Sequence, residues 1–340
     1  MAVPVLAAQK PRDDGLAGDE LARAARVLAS GGLVAFPTET VYGLGARADD
    51  DAAVAAIFAA KGRPTDHPLI VHVASAAHAA PFAAEWPAVA QRLMAALWPG
   101  PLTLIVPRAP GMAAAAAAGL PGIGLRCPAH PLAQALLAAA HRLGVAGVAA
   151  PSANRFGRIS PTRAQHVRDE FGTGLPVLDG GACEVGIESA IVDCTQAHPV
   201  LLRPGALTRA EIEAAAGEPL RERDARSARA PGTLDAHYAP RAKLRLMTTD
   251  ALRQALQVLG PAARGVAVYS RTAGEALTPG LARNPLHRAM SDNAAEAGHE
   301  LFAAMRELDR PGVDLIWVEH PPDTPAWEGV RDRLLRAAAA

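Results

Sequence analysis

A small set of cations, hydroxyls and one amide are the side chains of this sequence whose types and positions suit chemistry. Lys61 and Arg63 flank Gly62 ahead of Pro64, Arg126 comes two residues before Pro128, and Arg203 precedes Pro204-Gly205. Ser152 follows Pro151, Ser160 precedes Pro161, and Asn154 lies between the two serines. Cations brought into one pocket repel each other unless an anion joins them. Their shared position at the ends of apolar runs therefore predicts a polyanionic ligand, provided those ends converge. Lysine occurs at 10, 61 and 243 only, with arginine everywhere else. At Lys61 a compact ammonium would meet phosphate as a point charge, where arginine would offer a planar fork. The plainer reading of Lys61 is a cation complementing a helix C-terminus, worth about 0.3–1 kcal/mol.

The stretch Phe36-Pro37-Thr38-Glu39-Thr40-Val41-Tyr42-Gly43-Leu44-Gly45 supplies the loop around which these groups would gather. It follows the apolar run from Leu33 to Phe36, which reads as a short buried strand opening into a polar, glycine-containing loop. Loops of that kind, fixed by a strand, are common places for ligand contacts in α/β proteins. A helix is expected at 19–30 before it and another at 52–60 after it, with Asp50 and Asp51 at the positive end of the second. Further strands are expected near 69–73, 102–106, 122–126, 147–150, 177–178, 189–193 and 200–202. Helices are expected at 88–97, 131–142, up to Phe171, and from the capping box Thr208-Arg209-Ala210-Glu211 to about Ala216. Thr162 or Ser160 could cap the helix ending at Phe171, so Ser160 has both a cap and a ligand reading. His67, His72 and His78 do not share the spacing of converging metal ligands.

From Gly217 to Lys243 the apolar periodicity disappears, yet this linker contains Pro231-Gly232-Thr233-Leu234-Asp235-Ala236-His237-Tyr238-Ala239-Pro240. A pure spacer has no need of His-Tyr beside prolines. Beyond it the pattern alternates β-α-β-α, which predicts a small parallel-sheet domain. The expected division is a loose lead-in over 1–17, a catalytic domain over 18–216, a linker or lid over 217–243, and a C-terminal domain over 244–340.

Composition narrows the class. Basic and acidic residues both number 34, so net charge points to neither a nucleic-acid nor a membrane surface. The odd set Cys127, Cys183 and Cys194 lacks CxxC spacing, which argues against a disulfide framework or zinc site and for the reducing cytoplasm. No apolar run reaches the roughly 18 residues of a membrane span. A Walker loop, a GxGxxG turn, a GxSxG elbow and an HExxH helix are all missing. Any phosphate must be held by dispersed cations and hydroxyls.

Several segments together resemble the Sua5/YrdC family. They are the Phe36 to Leu44 stretch, Lys61-Gly62-Arg63-Pro64, Pro68-Leu69-Ile70-Val71-His72, Pro151-Ser152-Ala153-Asn154, Ser160-Pro161-Thr162, Gly186-Ile187-Glu188-Ser189 and His237-Tyr238-Ala239-Pro240. The resemblance covers about residues 16–340 in order, and its K-x-R followed by S-x-N pairing is specific. It implies an α/β fold: a YrdC-like twisted mixed open sheet with flanking helices, then a smaller Rossmann-like parallel-sheet domain as in the longer Sua5 type. It also implies a nucleotidyltransferase, an L-threonylcarbamoyladenylate synthase. Such an enzyme joins L-threonine, bicarbonate and ATP, with Mg²⁺, into threonylcarbamoyl-AMP and pyrophosphate for the t6A modification of tRNA at adenosine 37.

Carried onto this sequence, the resemblance assigns L-threonine to Thr40, His72, Arg126 and Ser189, with the backbone near Ala150. ATP falls to Lys61, Arg63, His67, Ser152, Asn154, Ser160, Arg203 and Tyr238. Lys61, Arg63, Ser152 and Asn154 would carry the catalytic step, and the linker would close as a lid. It names no metal ligand. It implies a downstream tRNA threonylcarbamoyl transferase complex as partner, weak RNA contact, and no membrane. Three departures bear on details: His67 stands where Asn is more usual, Gly122 where a hydroxyl often assists ATP, and Phe156 where a small polar residue is usual. The sequence leaves room for two other readings. A carbamoyl-transfer domain of hydrogenase maturation would bring CxxC zinc fingers, which are missing. An RNA-binding module is disfavoured by balanced charge and few aromatics.

Overall fold

The computed structural model describes residues 16–224, 227–259, 265–272 and 286–340. Residues 1–15 of the expected lead-in lie outside the described residues. Helix α1 (Leu16–Ala29) starts three residues ahead of Asp19. Strand β1 (Val34–Phe36) then pairs antiparallel with β2 (Gly43–Arg47), so the loop of the central stretch is shorter than its composition implied. Gly45 pairs with Val34 in this ladder, and glycine is required there because a Cβ would come within 2.8 Å of the Phe36 ring and of Val148.

Helix α2 (Asp51–Lys61) is capped by Asp50, whose carboxylate accepts from the Ala52 and Ala53 amides, and is ended by Gly62 in the left-handed region. The chain continues through β3 (Ile70–His72), α3 (Ala76–Ala79), α4 (Ala88–Leu97), β4 (Leu102–Pro107), β5 (Gly122–Arg126) and α5 (Pro131–Arg142). Then come β6 (Val148–Ala149), α6 (Ala164–Phe171), β7 (Ala190–Asp193), β8 (Val200–Arg203) and α7 (Arg209–Ala216). The Thr208–Glu211 capping box is present at α7. The expected cap at α6 is not: Arg163 holds that position without a side-chain bond, and Ser160 bonds elsewhere. Val177 makes only an isolated bridge to Ala35, not a strand.

These strands form one mixed eight-stranded sheet in the order β1-β2-β6-β3-β5-β4-β7-β8. Alternation along it decides where chemistry can sit. Val71, Leu104, Leu125, Val192 and Leu201 point to one face and enter the main core, alongside Val54, Ile57 and Leu93 of α2 and α4. Ile70, Ile105, Ile191 and Leu202 point to the other face and make a small cluster with Ala230 of the linker. His72 and Arg126, in register across β3 and β5, are on that second face by the same period of two.

The second unit comprises β9 (Lys243–Met247), α8 (Thr249–Leu259), β10 (Val266–Ser270), β11 (Leu286–Ala289), α9 (Ala294–Leu308), β12 (Leu315–Glu319) and α10 (Glu328–Ala338). Its four strands are all parallel, in the order β11-β10-β12-β9, with β11 the strand not foreseen. Its core does not stop at the linker: Val41, Ile159 and Ile187 of the first unit pack in the same cluster as Tyr238, Leu301, Phe302 and Val330. Among the described residues no helix is long and apolar enough to cross a membrane.

Candidate active site

Thr40 heads the loop between β1 and β2, where Thr38 Oγ1 meets Thr40 Oγ1 at 2.7 Å and binds the Val41 carbonyl at 2.7 Å. Arg126, at the end of β5, donates from Nη1 to Thr40 Oγ1 at 2.8 Å and from Nε to the Gly100 carbonyl at 3.3 Å. Glu39 brings Oε1 to 2.7 Å from Arg126 Nη2, an ion pair misaligned for a hydrogen bond, and neither Glu39 oxygen nor Nη2 has a hydrogen-bond partner. His72 stands beside Arg126, and burial with help from the Arg126 charge pushes its imidazole down to about 3. It is therefore neutral near pH 7.

Lys61 closes α2 but does not stay with its own helix end. It is buried, and Nζ crosses to the loop after β6, donating to the Ser152 carbonyl at 2.6 Å and to the Asn154 carbonyl. Burial, with Arg63 next, pushes Lys61 well below the usual amine range. Two of its protons are spent on carbonyls, so a third N–H or a lone pair remains for a ligand. Asn154 donates from Nδ2 to the Arg155 and Arg158 carbonyls at 2.7 and 2.9 Å, which leaves Oδ1 without a partner. Arg63 donates to the Pro68 carbonyl at 3.0 Å, and its guanidinium lies 5.5 Å from the Phe156 ring centre.

Arg203, at the end of β8, donates to the Ser189 carbonyl at 3.0 and 3.1 Å and to the Pro231 carbonyl of the linker at 3.0 Å. Ser189 Oγ meets Thr103 Oγ1 at 2.8 Å. Tyr238, fully buried, takes a positive φ of 62°, a rare conformation for so large a residue, and its hydroxyl has no partner. Burial pushes that hydroxyl up to about 12 and the neighbouring His237 down to about 3. Gly232 permits the linker to come this close: a Cβ there would lie 2.5 Å from Tyr238 Oη and 2.7 Å from Arg203 Nη1.

One cavity gathers nearly all of these groups. Thr40, Lys61, Arg63, His72, Arg126, Ala150, Ser152, Asn154, Ser189, Arg203 and Tyr238 all line it. Three residues singled out in the sequence are not in its wall. Ser160 is buried behind it, donating to Glu188; His67 packs against Phe156 with ring centres 5.5 Å apart; Gly122 lines a second hollow of about 370 Å³. The two hollows share Ile70 and Pro231, so the linker runs between them. The first cavity holds only about 50 Å³, little more than the roughly 30 Å³ share of one water. Phe156, Glu188 and His237 are lining residues that sequence reasoning did not place in the pocket.

Buried polar atoms normally find partners, and those that do not point to an absent one. Among the described residues eleven have such atoms: Arg63, His72, Arg126, Asn154, His237 and Tyr238 line this cavity, Glu39 faces Arg126 in its wall, and His78, Tyr269, Arg271 and Arg288 lie elsewhere. Comparison with known proteins agrees with the geometry. A family model described as "Telomere recombination" (Sua5, YciO, YrdC) matches residues 26–205, and one described as "Threonylcarbamoyl-AMP synthase, C-terminal domain" matches 207–339. The chain belongs to the Sua5/YciO/YrdC family. A threonylcarbamoyl-AMP synthase of Pyrococcus abyssi is 38% identical over 93% of both chains. The Bacillus subtilis protein of the same name is 38% identical over 94% of this chain and 93% of its own. The crystal structure of P. abyssi Sua5 complexed with L-threonine superposes with a TM-score of 0.83, at 37% identity over 94% of each chain. This Sua5-family chain thus shares both units, in the same order, with its relatives.

Proposed function

We propose that this chain is a threonylcarbamoyl-AMP synthase, joining L-threonine, bicarbonate and ATP with release of pyrophosphate. The observation that carries the reading is the convergence of unpartnered buried groups on a cavity bordered by Lys61, Arg63, Arg126 and Arg203. In this reading 18–216 is the catalytic domain, 217–243 the lid and 244–340 the C-terminal domain. The setting is the cytoplasm, a reading to which three buried free cysteines lend support.

Arg126 offers Nη2 to the threonine carboxylate, and Thr40 and Ser189 provide hydroxyls for the rest of the amino acid, against the backbone of Ala150. His72 stays uncharged, so its Nδ1 can hydrogen-bond without adding a second cation beside Arg126. Threonine's unprotonated amine forms the C–N bond either with CO₂, losing one N–H proton, or with bicarbonate, whose C–O bond breaks to release water. The carbamate so formed attacks the α-phosphorus of ATP, and the P–O bond to pyrophosphate breaks. Such an in-line displacement needs positioning and charge neutralisation rather than a protein nucleophile. Lys61, Arg63 and Arg203 supply that charge, Ser152 and Asn154 hold the loop that receives Lys61, and Ser160 and His67 stand at the margin of the nucleotide.

ATP does not fit a cavity of about 50 Å³, since ligand pockets usually exceed about 300 Å³. The linker residues Pro231, Gly232, His237 and Tyr238 must withdraw to admit it and return to keep water from the labile carbamate. Mg²⁺ enters with ATP as part of the substrate. Among the described residues no three His, Cys, Asp or Glu side chains converge on a cation. A magnesium carried on phosphates with most of its waters suits that arrangement. The product would pass to a tRNA threonylcarbamoyl transferase complex for t6A formation, and weak RNA contact belongs to the same reading.

The test is pyrophosphate release from ATP and bicarbonate with and without labelled threonine. Threonine-dependent release is expected from the wild type, and Lys61→Ala and Arg126→Ala should each lower it by about 10²–10³-fold with circular dichroism unchanged. Near-normal turnover in either variant refutes the role given to that residue, and a binding module would release no pyrophosphate at all.

A further inference from the structure

Glu188 is a carboxylate among groups arranged to receive an anion. It lines the same cavity as Lys61, Arg63, Arg126 and Arg203 and is 8% exposed. Left free, it would pair with one of those cations and repel a polyphosphate. Both of its oxygens are engaged elsewhere. Ser160 Oγ donates to Oε1, and Arg333 Nε donates to Oε2 at 3.0 Å.

Arg333 stands on α10, in the second unit, and is completely buried. Four of its five N–H groups are used: besides Nε, Nη2 donates to the Glu188 carbonyl at 3.0 Å, and Nη1 to the Pro204 carbonyl and to Asp332 Oδ2, both at 2.8 Å. The guanidinium also lies 5.5 Å from the Tyr238 ring centre, and Phe302 of α9 packs on that ring at 5.4 Å. A single side chain of the second unit therefore fixes a carboxylate in the pocket wall, the turn following Arg203, and the tyrosine of the linker.

We propose that Arg333 is a positioning residue for nucleotide binding: from α10 it restrains Glu188 from the phosphate-facing cations and seats Tyr238, so the C-terminal unit completes the ATP site without touching ATP. This rests on the synthase reading of the pocket. A residue needed only for folding would lower the yield or kcat alike for both substrates. A restraint on Glu188 instead acts on ATP and spares threonine, which lies on the Arg126 side.

The test is the steady-state kinetics of threonine-dependent pyrophosphate release, with KM for ATP and for threonine measured separately. Arg333→Met should raise the ATP KM about tenfold or more while the threonine KM stays within about twofold. The double variant Glu188→Gln/Arg333→Met, which removes both charges, should bring the ATP KM back to within about threefold of wild type. Equal changes in both KM values, unchanged KM values, or a double variant no better than Arg333→Met would overturn the proposal. If Arg333→Met fails to fold, the double variant decides alone: a tenfold loss of ATP affinity there overturns it. A wild type releasing no threonine-dependent pyrophosphate would instead sink the synthase reading.

Discussion

Lys61 shows how one side chain can support two readings until its surroundings are known. By position it is a cation in the last turn of α2, as helix termini favour. In the structure it is 3% exposed and donates to two carbonyls of another loop, with burial lowering its proton affinity. An incoming triphosphate reverses that effect by adding negative charge. ATP binding should therefore take up a proton, and affinity should fall as pH rises above the Lys61 pKa of the free protein. Titration calorimetry at about pH 8.5, where ATP itself is fully ionised, should give heats that vary with the ionisation enthalpy of the buffer. Lys61→Arg, which stays charged throughout, should remove that variation. Buffer-independent heats in the wild type would contradict a depressed Lys61.

Elements matter here mainly for what their ends present. The linker reaches Arg203 and Tyr238 because residue 232 has no side chain and adopts φ 69°. An alanine there meets strain from its backbone and a Cβ within 2.7 Å of two site groups. Gly232→Ala should weaken ATP-dependent turnover by about tenfold or more, whereas the melting temperature should fall by only a few degrees, because the substitution displaces a buried linker turn that supplies no side chain of its own to the hydrophobic clusters. A large loss of melting temperature with normal turnover would show that Gly232 serves the fold and not the lid. The strands β3, β4 and β5 are legible in the sequence as apolar runs, whereas the alternation that puts His72 and Arg126 on one face follows from their register in the sheet. The strand identity of residues 43–47 was hidden, because Gly-Leu-Gly reads as a loop until the Phe36 ring is seen filling the space of the missing side chains.

At the scale of the whole molecule, stability and site are linked through groups buried in the uncharged state. Burial lowers His72 and His237 to about 3 and His166 to about 4, against 6.5 for an exposed imidazole. Between those values and 6.5 the unfolded chain binds more protons than the folded one, so stability falls as pH drops through that window. Each fully buried imidazole contributes a slope approaching roughly 1.4 kcal/mol per pH unit there. Glu188, which Arg333 and Arg203 hold below the usual carboxylate range against the opposing effect of burial, acts in the same direction below its unfolded value of 4.5. Melting temperatures should accordingly decline from pH 7 to pH 5, and His237→Gln should flatten the decline. A flat profile in the wild type would mean that these imidazoles bind protons in the folded protein as readily as in the unfolded chain.

The sequence alone determined what local pattern and side-chain chemistry can encode: most strands and helices, the capping box at Thr208, a parallel second sheet, and a family resemblance on motifs whose residues mostly border one cavity. It could not show that Ser160 serves Glu188 rather than a helix end, that Arg333 reaches Glu188 across 145 positions, or that Tyr238 packs in a core shared by both units. Those facts depend on which surfaces meet. Periodicity and propensity act over a few residues, whereas a buried carboxylate finds its guanidinium only when two separately formed units close on each other and exclude water. The tertiary structure made that choice, and with it decided which charges are free to meet a nucleotide.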